Sequence, residues 1–150
     1  MPLVVREFEE TDQAALRDLY VASRDAAFTW DPVGSHQASD FDQHTEGERI
    51  LVAIKGTRVV GFASVWEPDS FVHNLFVHPS ALRQGAGEAL LAACTPYFSK
   101  APTLKCLQAN VNAQRFYQAQ GWMVLREDVG PEGPYVLMTK ALTMRDAASI

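Results

Sequence analysis

The run Leu75-Phe76-Val77-His78-Pro79-Ser80-Ala81-Leu82-Arg83-Gln84-Gly85-Ala86-Gly87-Glu88-Ala89-Leu90-Leu91 constrains this chain more than any other stretch. It reads as a short apolar strand, a turn marked by Pro79, a basic loop and then an amphipathic helix. Gly85 and Gly87 fall where the loop becomes the helix. A helix start offers about four backbone N–H groups without intrahelical partners, and its dipole places roughly half a positive charge there. Glycines at such a junction remove the side chains that would hold an anion away, so the junction suits a phosphate. Arg83 adds a fixed charge with a planar fork of donors that matches phosphate. The plainer alternative is a helix entry whose glycines serve packing. Better-known nucleotide patterns are missing. No Gly, four residues, Gly-Lys-Ser/Thr run occurs, and a dinucleotide fingerprint begun at Gly85 would need Gly or Ala where Leu90 stands.

A second run separates these readings. Asn110-Val111-Asn112-Ala113-Gln114-Arg115-Phe116-Tyr117-Gln118-Ala119-Gln120-Gly121-Trp122 reads as a short helix closed by glycine and followed by a strand. An Asn-x-x-Ala-x-x-Phe-Tyr-x-x-x-Gly-aromatic run placed after a Val-x-Pro…Gly-x-Gly loop resembles the GCN5-related N-acetyltransferase (GNAT) superfamily. The order of elements fits over roughly residues 3–142. The two motifs speak for fold and cofactor and say almost nothing about the acceptor.

The resemblance implies acetyl-CoA as co-substrate, transferring its acetyl group directly to an amine. Main-chain groups of Leu75, Phe76 and Val77 would face pantetheine and the thioester carbonyl. Amides within Arg83, Gln84, Gly85, Ala86, Gly87 and Glu88 would hold the pyrophosphate. A backbone N–H aimed at the thioester oxygen would stabilise the tetrahedral oxyanion, worth ~3–4 kcal/mol when such a donor is deleted. Asn110 matches the family Asn that helps hold the cofactor, and as a residue it also reads as a plain helix N-cap. Tyr117 matches the family tyrosine whose hydroxyl protonates the departing thiolate. A phenol of pKa ~10 keeps its proton at neutral pH and can give it to a thiolate of pKa ~8.5. The chain departs from the family at Leu82, where Gln or Arg usually opens the loop. Members of the family are often dimers, so a homodimer is an option. The rival reading is a noncatalytic acyl-CoA-binding or sensing module on the same fold, because fold does not fix function.

The acceptor amine needs help from elsewhere. An amine of pKa ~10.4 must first lose a proton, which costs about 4.6 kcal/mol at pH 7. His73, on the strand before the loop and flanked by apolar residues, is the candidate base, with a buried structural histidine as the alternative. Glu67 and Asp69 are further candidates, against a solvated acidic turn. His78 precedes Pro79 and reads as turn structure, while His36 and His44 read as surface histidines of an irregular loop, with an approach to the acceptor as the alternative. The four histidines and two cysteines are scattered without metal-ligand spacing, so no metal is expected.

Composition narrows the partners. At 150 residues the chain supports one domain over 1–150, with a core over 3–142 and fraying at 143–150. A net charge of −5 disfavours nucleic acid and weakly favours a cationic acceptor. Arg6 and Glu7 come too early for a secretory segment, and no apolar run approaches the ~20 residues of a membrane span. Cys94 and Cys106 read as packing residues, and a cytoplasmic location is expected.

The periodicities predict a fold of α/β (α+β) class: a mixed, mostly antiparallel sheet of about six to seven strands, flanked by helices and splayed after the fourth strand. Strands are expected at 3–7, 50–54, 59–66, 71–77, 103–107, 122–127 and 135–142. Helices are expected from Thr11 or Asp12, over 85–98 and over 110–120, and 28–47 is read as irregular. The rings of Phe28, Trp30 and Phe41 either cover the core or line a substrate pocket.

Overall fold

A computed structural model of the chain describes residues 2–142. The expected fraying of 143–150 lies outside the described residues. Seven strands, β1 (Leu3–Glu7), β2 (Arg49–Lys55), β3 (Arg58–Trp66), β4 (Phe71–Val77), β5 (Thr103–Leu107), β6 (Met123–Gly130) and β7 (Gly133–Thr139), form one sheet in the order β1-β2-β3-β4-β5-β7-β6. Helices α1 (Gln13–Ala27), α2 (Ala38–His44), α3 (Ala86–Cys94) and α4 (Val111–Ala119) flank it. All neighbours pair antiparallel except β4 and β5. That parallel pair is joined only at Phe71↔Thr103 and Val72↔Leu104, so the sheet splays over the C-terminal halves of both strands. This is the splay expected after the fourth strand.

Period-two alternation sorts β2 between two cores. Leu51 and Ala53 join Ala63, Val65, Val72, Leu104 and the α3 residues Leu90, Leu91 and Cys94 on one face. Val52 packs with Phe62, Leu16, Leu19, Tyr20 and Phe41 under α1 and α2 on the other. In β4 the alternation is broken. Ser64 pairs with Asn74 and Val65 with Val72, leaving His73 as an extra, unpaired residue. Such a bulge re-aims side chains, and here both His73 and Asn74 turn toward the end of α2. Asn74 Nδ2 donates to the His44 carbonyl at 3.0 Å and to Ser64 Oγ at 2.8 Å, so this buried polar group is satisfied.

Four expectations need correction. Residues 28–47 are not wholly irregular: Ala38–His44 is helical, opened by Asp40 Oδ2 accepting from the Gln37 N–H at 2.9 Å and anchored by Phe41 in the core. The third helix stops at Cys94, because Pro96 supplies no N–H and the chain tightens into a 3-10 turn at Thr95–Tyr97. The loop expected over 129–134 is a two-residue turn at Pro131 and Glu132, made possible by Gly133 at φ 117°. Asp12 stands before α1 without capping it. Its carboxylate instead receives Arg6 at 2.8 and 2.9 Å and the Glu9 N–H at 2.8 Å.

β6 closes one edge of the sheet. Met123, Val124, Leu125 and Val129 are exposed along it.

Candidate active site

The splay becomes a cavity of about 450 Å³ between β4, β5, α1, α4 and the β6–β7 turn. Beyond Val72, no strand among the described residues pairs with the side of β4 that faces β5. Backbone N–H and C=O groups left without a ladder demand partners, so an extended ligand lying in the slot would be held by main chain. Leu75 and Phe76 line the cavity. Val77 does not, and its carbonyl already accepts from Ser23 Oγ at 3.2 Å.

Past the end of β4 the chain turns through His78–Ala81 into the loop that opens α3. Arg83 and Gly85 both take left-handed backbone, at φ 63° and 87°. The two glycines differ. A Cβ built on Gly85 meets nothing within 4 Å, so this junction is open to an approaching group. A Cβ on Gly87 would come within 3.0 Å of Phe116 Cζ, which makes Gly87 the contact by which α3 and α4 pack closely. The packing reading holds at Gly87, while Gly85 leaves the helix start open. Gln84 Oε1 accepts from Lys55 Nζ at 2.6 Å, bringing a second cation beside Arg83. Leu82 is exposed at the position where a polar residue was expected. Arg83, Gln84, Gly85, Ala86, Gly87 and Glu88 do not line the cavity and lie in the loop and first turn of α3 that follow β4. An open glycine, a free helix start and two cations fit a pyrophosphate.

Tyr117 faces the cavity from α4, packed edge-on against Phe116 and Trp122 at ring distances of 5.4 and 6.1 Å. Its hydroxyl has no protein partner among the described residues and is not sealed from the cavity. Burial pushes its pKa well above the phenol range, with Cys106 and Cys94 adding to the effect. Cys106 lines the same cavity, and burial pushes its thiol up to about 11. Asn110 lines the cavity as well, and its side chain caps α4 by accepting from the Ala113 N–H at 3.2 Å.

On the opposite wall, His73 Nδ1 lies 2.7 Å from Glu48 Oε2. The Glu48 side chain is 7% exposed and its Oε1 is buried without a partner. With the Nδ1 proton donated to this carboxylate, Nε2 is left as the acceptor of the neutral ring. His44 also lines the cavity, 6.3 Å from His73 between ring centroids, and is a site residue rather than a surface histidine. The Tyr20 hydroxyl, its pKa raised to about 12 by burial, is hydrogen-bonded to His44 Nδ1 at 2.5 Å. Phe28 lines the cavity, Phe41 is core, and Trp30 is exposed against Phe28, so the aromatic segment divides among all three roles. His36 bridges Asp25 and Asp31 at 2.8 Å each, and His78 accepts from the Ser80 N–H as turn structure. Glu67 pairs with Arg49 at the sheet's far rim. Asp69 ends the turn before β4, and neither acid lines the cavity. Sequence reasoning missed Glu48, Arg24 and Glu132, whose roles come from partners distant along the chain. Among the described residues no group of three or more His, Cys, Asp or Glu could hold a metal ion. No described helix is long and apolar enough to cross a membrane.

Comparison with solved structures gives the same fold. A GCN5-related N-acetyltransferase from Rhodopseudomonas palustris shares 22% identity and superposes with a TM-score of 0.79, covering 95% of this chain and 97% of that one. The PaiA N-acetyltransferase from Thermoplasma acidophilum, solved with coenzyme A, is 14% identical with a TM-score of 0.75 over 93% and 99% of the two chains. A ribosomal-protein-alanine N-acetyltransferase from Brucella melitensis is 21% identical with a TM-score of 0.70 over 93% and 99%. No curated protein sequence matches. The family model described as an acetyltransferase (GNAT) domain matches residues 13–142, and the chain belongs to that family.

Proposed function

We propose that this protein is an acetyl-CoA-dependent N-acetyltransferase that passes acetyl directly from coenzyme A to an amine, with both substrates in the splayed cavity together. One observation carries the reading. Tyr117, whose hydroxyl has no protein partner among the described residues, and His73, whose Nδ1 lies 2.7 Å from Glu48 Oε2, line one cavity. Acetyl-CoA would supply an activated acetyl group and a thiolate leaving group. The free edge of β4 at Leu75 and Phe76 would hold the pantetheine arm. The start of α3, from Arg83 to Glu88, would hold the pyrophosphate, with Lys55 beside it. Asn110 would contribute to cofactor binding while capping α4.

His73 Nε2 would take the proton from the acceptor ammonium, and Glu48 would orient the ring and steady the imidazolium that forms. Tyr117 would give its proton to the leaving thiolate. Burial keeps the Tyr117 phenol protonated, so its proton would be available to a leaving thiolate. We place the reaction in the cytoplasm, in keeping with two free, buried cysteines. We further propose a homodimer through β6, whose exposed apolar residues sit on an otherwise unpaired edge. Incubation with acetyl-CoA and a panel of amines, read by thiol release and mass of the product, tests the activity. Acetylated product is expected, and tight coenzyme A binding without transfer to any amine would favour the binding-module alternative.

A further inference from the structure

The net charge of −5 gives a poor guide to the cavity. Its charged lining residues are two cations, Arg24 and Lys105, and one acid, Glu132. Arg24 is the more deeply set cation, with a side chain only 10% exposed. Its guanidinium carbon lies 4.5 Å from the Phe28 ring centroid, 5.5 Å from Tyr20 and 5.9 Å from Phe76. Rings on several sides strip water from the cation and leave it dependent on whatever anion the cavity offers. The anion present is the Glu132 carboxylate, 2.9 Å from Nη2 and carried by the exposed β6–β7 turn. A guanidinium has five donors arranged to engage both oxygens of a carboxylate. Glu132 engages one.

We infer that the acceptor is a small amine that also carries a carboxylate, and that Arg24 binds this carboxylate in the place Glu132 occupies. This inference rests on reading the cavity as the acetyl-transfer site. The chain itself shows that a carboxylate fits the seat. Glu132 is then an internal competitor, 58% exposed and free to leave for water when a better-matched, two-point partner arrives. Lys105 adds positive potential, and the cavity of about 450 Å³ is of small-molecule size. Arg24 selects the acid end of the acceptor, while His73 deals with its amine. The plainer view makes Arg24 a strap that ties α1 to the β6–β7 turn and gives it no selectivity.

The test is a nitrogen–proton NMR titration of the full chain, following the Arg24 Nε–H and the Glu132 backbone N–H. The probes are N-acetyl derivatives of glycine, alanine, leucine, phenylalanine and glutamate, each beside its uncharged carboxamide. At least one acid should shift both signals and bind about tenfold or more tightly than its amide, since a site built to bind a polar group rejects the analogue lacking it. Glu132→Gln should strengthen acid binding severalfold, and Arg24→Gln should abolish the preference. Glu132 is exposed, so its variant tests the inference even where Arg24→Gln fails to fold. Equal binding of acids and amides, no binding of either, or acid binding indifferent to Glu132→Gln would overturn it. A parallel turnover assay with amino acids and their amides keeps the two readings apart. Efficient acetylation without preference for a carboxylate removes this inference and leaves the transferase reading intact. Acid-selective binding without acetylation of any amine removes the transferase reading, and with it the assignment of the Arg24 seat to an acceptor, leaving only a carboxylate-binding site.

Discussion

The two ends of the slot are built on different principles. At the α3 end the proposed working parts are main chain: the open left-handed Gly85, the N–H groups of a helix start and a strand edge that no described strand pairs with beyond Val72. At the α1–α2 end they are side chains held in pairs, Tyr20 with His44, Glu48 with His73 and Arg24 with Glu132. Backbone recognition depends little on the side chains around it. Paired side chains couple each group to a distant partner, so the second end can be retuned one residue at a time while the first stays fixed.

The sharpest way to break this comparison is at Tyr117, which faces the cavity from α4. Tyr117→Phe should lower turnover by about 10²-fold while leaving the acetyl-CoA dissociation constant within about twofold. The lost hydroxyl has no protein partner among the described residues, so the melting temperature should not fall. Unchanged turnover across pH would remove Tyr117 as the acid. Next in size is Gly85→Glu, which puts bulk, negative charge and a strained φ into the pyrophosphate seat. Coenzyme A affinity should drop by about 30-fold, or about 2 kcal/mol, in calorimetric titration of folded protein. Normal binding would show that the loop is misplaced in this account.

At the other end, Glu48→Gln should cut turnover by about tenfold with acetyl-CoA affinity unchanged, because it frees the His73 ring without touching the slot. A loss of cofactor affinity instead would erase the division between the ends. The smallest effect lies away from both. Hydrogen bonding from Arg6 holds the Asp12 carboxyl below the ordinary carboxylate range, outweighing desolvation. A folded value below the unfolded one gives stability that is complete above pH ~4 and lost as pH falls through the depressed value. Asp12→Asn should therefore melt about 3–6 °C lower at pH 7, with the gap closing in acid. A gap that persists at the lowest pH would assign the loss to shape and not to charge.

The same contrast explains what could be read from the sequence. β4 was legible to its end residues, since Phe71–Val77 is an apolar run bounded by Pro68 and Pro79. Gly85 and Asn110 were legible because turn and capping chemistry is local. α2 was missed because Ala38–His44 has a single buried anchor, Phe41, too little to reveal a helical period. The bulge at His73 leaves no local mark, and it alone explains why His73 and Asn74 turn to the same side. Glu48, Arg24 and Glu132 were invisible for a related reason. The Arg24–Glu132 pair spans 108 positions, and nothing near either residue announces it.

The central claim is that this slot holds coenzyme A. The most direct test is calorimetric titration of the folded, ligand-free protein with acetyl-CoA, beside free coenzyme A and ATP. The account predicts saturable binding of both coenzyme A species and none of comparable strength for ATP, because only the former carry the pantetheine arm that the free edge of β4 would hold. Absence of binding to either coenzyme A species would contradict it.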